Sequence, residues 1–187
     1  LRTNKRKNTA MRYYHNNIQN YRGSAKLLVV LLAFLLARGV ATAQVTIGGS
    51  VYGGGNKAAG IVTGTVNVEV KAGTVTHSVY GGGNLAEVSG ATQVTIDSVG
   101  KVNHSVFGGG HAANVTSANV IINNGTVGAS GGTGLYGVYG GCDSMGTVSG
   151  AIAVNISGGT LDTSLLGLFG GCYGAKTITG GNVTVTI

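Results

Sequence analysis

Two cysteines, two histidines and three tyrosines carry the residue types and spacings in this chain that could do chemistry. Cys142 and Cys172 close two successive copies of one short motif, 30 residues apart. If those copies stack, the two Cα atoms come about 5 Å apart, inside the window for a disulfide. The same placement suits two buried thiols packed as small apolar groups, and both readings stay open. His77 and His104 also share a register, each two residues before the residue that opens the motif. Two imidazoles one repeat apart could approach a metal ion, yet Tyr136 and Leu166 hold that register further on, so packing is the expectation and no metal site is assigned. Tyr136, within an insertion at residues 128–137, and Tyr139 and Tyr173 after it form the candidate ligand surface together with that insertion, because exposed aromatic rings make platforms for sugars.

The acids argue against hydrolysis. Glu69, Glu87, Asp97, Asp143 and Asp162 fall in different registers, and no Arg follows Arg38. Sugar-cleaving β-helices need paired carboxylates, or a carboxylate-bound calcium with a cationic base. Neither set is spelled out here, so the expectation is a non-enzyme without a cofactor. The formal charge of +7 points at first to nucleic acid, but eight of the twelve basic residues precede residue 44. Past that point four Lys face five acids, which leaves no phosphate-binding footprint.

Those early charges belong to a leader. Residues 27–37, LLVVLLAFLLA, form an apolar run behind scattered Lys and Arg, and Ala41-Thr42-Ala43 supplies a small-x-small cleavage pattern. This is the three-part layout of a secretory signal peptide, with cleavage expected after Ala43. A membrane-spanning helix needs about 20 apolar residues, and Arg38 ends this run well before that. Residues 1–43 are therefore expected to be a basic leader with a signal-peptide helix, and residues 44–187 the exported body.

The elements that must position the candidate residues are repeats. Val51-Tyr52-Gly53-Gly54-Gly55 returns as Val79-Tyr80-Gly81-Gly82-Gly83, Val106-Phe107-Gly108-Gly109-Gly110, Val138-Tyr139-Gly140-Gly141-Cys142 and Leu168-Phe169-Gly170-Gly171-Cys172, at intervals of 28, 27, 32 and 30 residues. A second line, V-x-G-x-x-x-V-x-[VI], runs from Val62, Val88 and Val148. Weaker copies at 115–122 and 178–185 are slipped by one residue, which reads as a bulge or changed turn. A third line places Gly-Thr-Val, Gly-Lys-Val or Gly-Thr-Leu at Gly73, Gly100, Gly125 and Gly159. Strict alternation means strands with one buried face. Three short strands per repeat predict an all-β fold, a parallel β-helix of about five coils of 27 to 32 residues. The aromatic rings should then stack in one row, as core.

Glycine punctuates the corners, where a chain needs positive φ or close backbone approach. Asn56 and Asn84 close two of these corners and can stack, although His111 and Asp143 take the same place later. The body has no Pro and no Trp, and it stops at Ile187 within a strand pattern. An uncapped apolar edge there invites pairing, so a longer parent protein and self-association through that edge are both expected.

These motifs resemble the VYGGGN-type surface repeats of Bacteroidetes, in which V-Y-G-G-G-N precedes V-x-G-x-T-x-V-x-I and a G-T-V segment. The resemblance covers nearly all of residues 45–187 and departs from the pattern at Cys142 and Cys172. It implies exported, adhesin-like cell-surface proteins. Asp97-Ser98-Val99 and Asp143-Ser144-Met145 also have the Asp-Ser-apolar form that this phylum O-glycosylates. The functional expectation is a secreted stalk or adhesive surface whose partners are glycans or proteins of a host or the environment. A glycan-binding or glycan-cleaving β-helix and a self-assembling envelope fibre are the alternatives.

Overall fold

Alternating Val and Thr between glycine corners folds here into stacked windings. The computed structural model describes residues 44–128, 136–174 and 180–187. The leader, its cleavage point after Ala43, Ile178 and most of the insertion lie outside the described residues.

Each winding contributes three strands, and all pairing is parallel. The first holds β1 (Thr46–Ile47), β2 (Val51–Tyr52) and β3 (Val66–Val70); the second β4 (Thr74–Val75), β5 (Val79–Tyr80) and β6 (Val88–Ile96). The third holds β7 (Lys101–Val102), β8 (Val106–Phe107) and β9 (Val115–Ile122). The fourth holds β10 (Thr126–Val127), β11 (Tyr136–Tyr139) and β12 (Ile152–Ile156), and the fifth β13 (Thr160–Leu161), β14 (Leu165–Phe169) and β15 (Val183–Thr186). Like strands of successive windings hydrogen-bond into three five-stranded sheets, which makes residues 44–187 an all-β parallel solenoid of five windings.

Register converts the repeat into rows of like apolar side chains. Val68, Val94, Val120, Val154 and Val185 are consecutive partners. Val51, Val79, Val106, Val138 and Leu168 form a second row. In the middle windings these side chains are sealed from water, with Val94, Val106, Val120 and Val138 wholly buried. Each such side chain contributes about 1.5 kcal/mol or more by leaving water. Thr92 interrupts one inward row, and its hydroxyl donates to the Gly108 carbonyl at 2.7 Å, so the buried polar group is matched. The one-residue slip at 115–122 is a bulge: Val88 pairs with Val115, then Ala91 with Ser117.

The glycines of the aromatic motif serve close approach rather than unusual dihedrals. A Cβ on Gly53, Gly81, Gly108 or Gly140 would run into the carbonyl oxygen of the matching glycine one winding on, at Gly81, Gly108, Gly140 or Gly170. Gly54 and Gly82 likewise lie against the backbone nitrogens of Gly83 and Gly110, and Gly55, Gly83 and Gly110 against carbonyls of their own corners. Gly109 and Gly141 instead face the sulfurs of Cys142 and Cys172, whereas Gly171 has open space around it. Positive φ recurs at a different corner, where Gly73, Gly125 and Gly159 enter β4, β10 and β13, and is found besides at Gly128 and Gly167. In the third winding Ser98 takes the left-handed conformation instead, at φ 53°.

Candidate functional site

Stacking brings the aromatic residues into one continuous row. Tyr52, Tyr80, Phe107, Tyr139 and Phe169 lie face to face with centroids 4.8 to 4.9 Å apart and planes within 9°. Tyr80, Phe107 and Tyr139 are buried. The three middle rings are therefore core, whereas Tyr52 is half-buried and Phe169 is exposed at the fifth winding.

Polar side chains line the corner beside it. Asn84 donates from Nδ2 to Asn56 Oδ1 at 2.7 Å, and His111 Nδ1 lies 2.9 Å from Asn84 Oδ1. His111 Nε2 is 3.6 Å from Asp143 Oδ2, and the Tyr80 hydroxyl donates to that same oxygen at 3.0 Å. The change from Asn to His to Asp thus keeps a connected polar line while altering its chemistry. A second line is built from serines: Ser105 N–H donates to Ser78 Oγ at 3.3 Å, and Gly137 N–H to Ser105 Oγ at 3.1 Å.

Between the two lines opens a recess of about 170 Å³. Tyr80, Phe107 and Tyr139 form its buried floor, with Ser78 and Ser105 along it. Tyr136, Asp143 and Tyr173 complete the lining, and Tyr173 remains 54% exposed. The three tyrosines singled out in the sequence thus meet at one place. Ser78, Ser105, Tyr80 and Asp143 were not assigned to it, although a Phe107 between two tyrosines in the same register was a readable sign of a gap.

Electrostatics in the recess favour neutral phenols. Burial, and then the Asp143 carboxylate, push Tyr80 well above the ordinary phenol range. Burial, followed by the neighbouring Tyr173 and Asp143, raises Tyr139. The Tyr139 hydroxyl is buried and has no hydrogen-bond partner among the described residues. Tyr173 meets the Tyr139 ring edge-on at 5.2 Å.

His77 and His104 do share a register, with an edge contact at 4.9 Å, and His104 stacks on Tyr136 at 3.9 Å. Burial first, then His77, holds His104 below the usual imidazole range. Leu166 does not continue this register: β14 carries an extra residue, so Leu165 pairs with Tyr136 and Leu166 turns 56% exposed to solvent.

Cys142 and Cys172 stack in adjacent windings with no disulfide between them. Cys172 Sγ instead accepts the Cys142 N–H at 3.1 Å. That hydrogen-bonded neighbour, together with burial, raises the Cys142 thiol far above its ordinary value. Ser98 lies at an exposed bend, with its N–H on Asp97 Oδ1 at 2.6 Å, and Ser144 Oγ donates to the His111 carbonyl at 3.3 Å. Among the described residues no group of three His, Cys, Asp or Glu side chains is placed to hold a metal ion.

Comparison of the chain with protein-family models, with curated proteins and with solved structures finds no match.

Proposed function

We propose that this chain is an exported, non-enzymatic envelope protein whose β-solenoid acts as a stalk and as an adhesin-like binding surface. The observation that carries this reading is the unbroken row of five stacked rings, one per winding. A stack of interchangeable windings is stabilised mainly by neighbour contacts, so it extends without redesign and holds a binding face at a distance. The three-part leader and the resemblance to VYGGGN-type surface repeats support export. Of the five acids, Glu69 pairs with Lys71 at 2.6 Å and Asp162 accepts the Ser164 N–H at 2.8 Å, and neither contact joins two carboxylates, which supports a role other than hydrolysis.

Surface display tests it. A tagged full chain expressed in a Bacteroidetes host should lose its leader after Ala43 and be removed from intact cells by added protease. Cells displaying it should adhere to glycan- or protein-coated beads more than cells without it. Retention in the cytosol with the leader attached would sink the reading.

A further inference from the structure

We propose that the recess between Tyr80 and Tyr139 binds one neutral pyranose ring, gripped through adjacent hydroxyls by the Asp143 carboxylate and the Tyr139 hydroxyl. The inference deepens the binding-surface part of the proposed function and rests on it for its biological setting.

The recess exists because of one residue type. Tyr80 and Tyr139 carry hydroxyls at the edge of the ring row, and Phe107, stacked between them at 4.9 Å from each, carries none. The Asp143 carboxylate reaches that stretch of the row and takes the Tyr80 hydroxyl at 3.0 Å. A carboxylate has about four acceptor positions, so one phenol and a distant imidazole leave capacity for a ligand. The Tyr139 hydroxyl supplies the complementary need. It is buried, belongs to a residue that lines the recess and, among the described residues, lacks a partner. An unmatched buried hydroxyl is costly, and a ligand hydroxyl would relieve that cost. A vicinal diol offers one oxygen to Tyr139 and one O–H to Asp143.

Ligand class follows from what the walls present. Tyr80, Phe107 and Tyr139 spend their faces on one another, so the recess sees ring edges and polar atoms. Quaternary ammonium groups need open aromatic faces, which makes this a poor cation box. No Lys or Arg lines it, and Asp143 repels anions, so phosphates and acidic sugars are disfavoured. Its 170 Å³ is below the roughly 300 Å³ at which sites for drug-sized ligands begin, which fits a single ring. Tyr173, 54% exposed, has ring surface left for the apolar side of a sugar.

The test titrates the full chain with methyl pyranosides of glucose, galactose and mannose, and in separate arms with choline and with inorganic phosphate, followed by saturation-transfer NMR and calorimetry. The expected result is saturable binding of at least one pyranoside. Phe107→Tyr keeps the ring row and fills the gap with a hydroxyl, so it should weaken that binding about tenfold or more. Asp143→Ala and Tyr173→Ala should weaken it as well, and they decide the matter if Phe107→Tyr does not fold. Tyr52→Phe, outside the recess, should leave it unchanged. The proposal is overturned if no pyranoside saturates, if choline or phosphate binds in its place, or if folded variants bind as the parent does. Such a failure in solution is separable from a failure of surface display, which the protease experiment reads alone.

Discussion

The hydroxyl of Tyr80 donates to the carboxylate of Asp143 at 3.0 Å across 63 residues of sequence, linking the second winding to the fourth. Neighbouring windings account for most other contacts in a solenoid, so a bond that skips one is unusual and needs a local reason. Phe107 supplies it. A third tyrosine in that register would set its own hydroxyl between the two partners, whereas phenylalanine leaves the passage open. One missing oxygen therefore determines both a cross-winding tie and the recess beside it.

The ring row should carry stability unevenly along its length. Phe107 is 3% exposed and covered on both faces, whereas Phe169 is 38% exposed at the fifth winding. Truncating a fully buried ring to Ala costs about 3–5 kcal/mol through lost burial and the cavity left behind. Phe107→Ala is expected to fall in that range in urea titrations, and Phe169→Ala at less than about half of it. Equal losses at the two positions would show that the stack adds nothing beyond local hydrophobic contact.

Much of this architecture is legible in the sequence because a solenoid makes register a matter of counting. The motif interval predicts that Tyr52, Tyr80, Phe107, Tyr139 and Phe169 align, and they do. Counting fails where a strand gains a residue. Leu166 has the right sequence offset, yet the bulge in β14 gives its place to Leu165. The sequence leaves the role of the motif glycines open between positive φ and close approach, since it does not show the distance to the next winding. The recess was half readable: aromatic residues announce themselves, but Asp143 meeting Tyr80 depends on a side chain reaching past His111. Cysteine spacing placed Cys142 beside Cys172, while the direction of each sulfur depends on rotamers that counting does not see.

Ser98 is the non-glycine residue in the left-handed region among those described, at a bend where other windings use Gly73, Gly125 and Gly159. Holding an L-residue there costs about 1–2 kcal/mol, partly offset by the greater chain entropy that Gly loses on folding. Ser98→Gly is therefore expected to stabilise the chain by about 0.5 kcal/mol, and Gly125→Ala to destabilise it by about 1 kcal/mol or more. Thermal melts of the two variants check the pair. A loss of stability in Ser98→Gly would mean that the Ser98 side chain outweighs its backbone strain.

Alkaline pH should weaken the fold before it affects the exposed surface. Burial and Asp143 hold Tyr80 above its ordinary 10.0, and burial and Tyr173 raise Tyr139 in the same direction. Groups raised on folding keep their full contribution below the unfolded pKa and lose it as pH climbs towards the folded one. The Cys142 thiol, raised by its hydrogen bond with Cys172 and by burial, starts the decline earlier, near the unfolded thiol value of about 8.5. Urea midpoints should hold steady from about pH 7 to 8, fall from about 8.5, and fall more steeply above about 10. Tyr80→Phe should flatten the steeper part. At the acid end His104, lowered by burial and His77, acts in the opposite sense, so stability should also fall below about pH 6.5. A midpoint that stays level through pH 11 would contradict the buried phenols.

The two sulfurs differ in access, and reactivity should follow. Cys142 is fully buried in an apolar cluster with Val88, Val115, Val148 and Ile152, whereas Cys172 is half-buried and packs against that cluster from the outer winding. Thiolate, the form that reacts, is suppressed at Cys142 by burial and by its neighbour. Iodoacetamide added to the native chain is expected to modify Cys172 at least about tenfold faster than Cys142, with Cys142 reacting freely only in urea. Peptide mass spectrometry reads both positions at once. Cys142→Ser should cost about 1–3 kcal/mol, because a hydroxyl would replace sulfur among aliphatic groups, where the Ala113 carbonyl that Sγ now faces lies at a long 3.6 Å. Equal labelling rates in the native chain would show that the fourth and fifth windings separate on the timescale of alkylation, and that Cys142 is shielded far less than its neighbours imply.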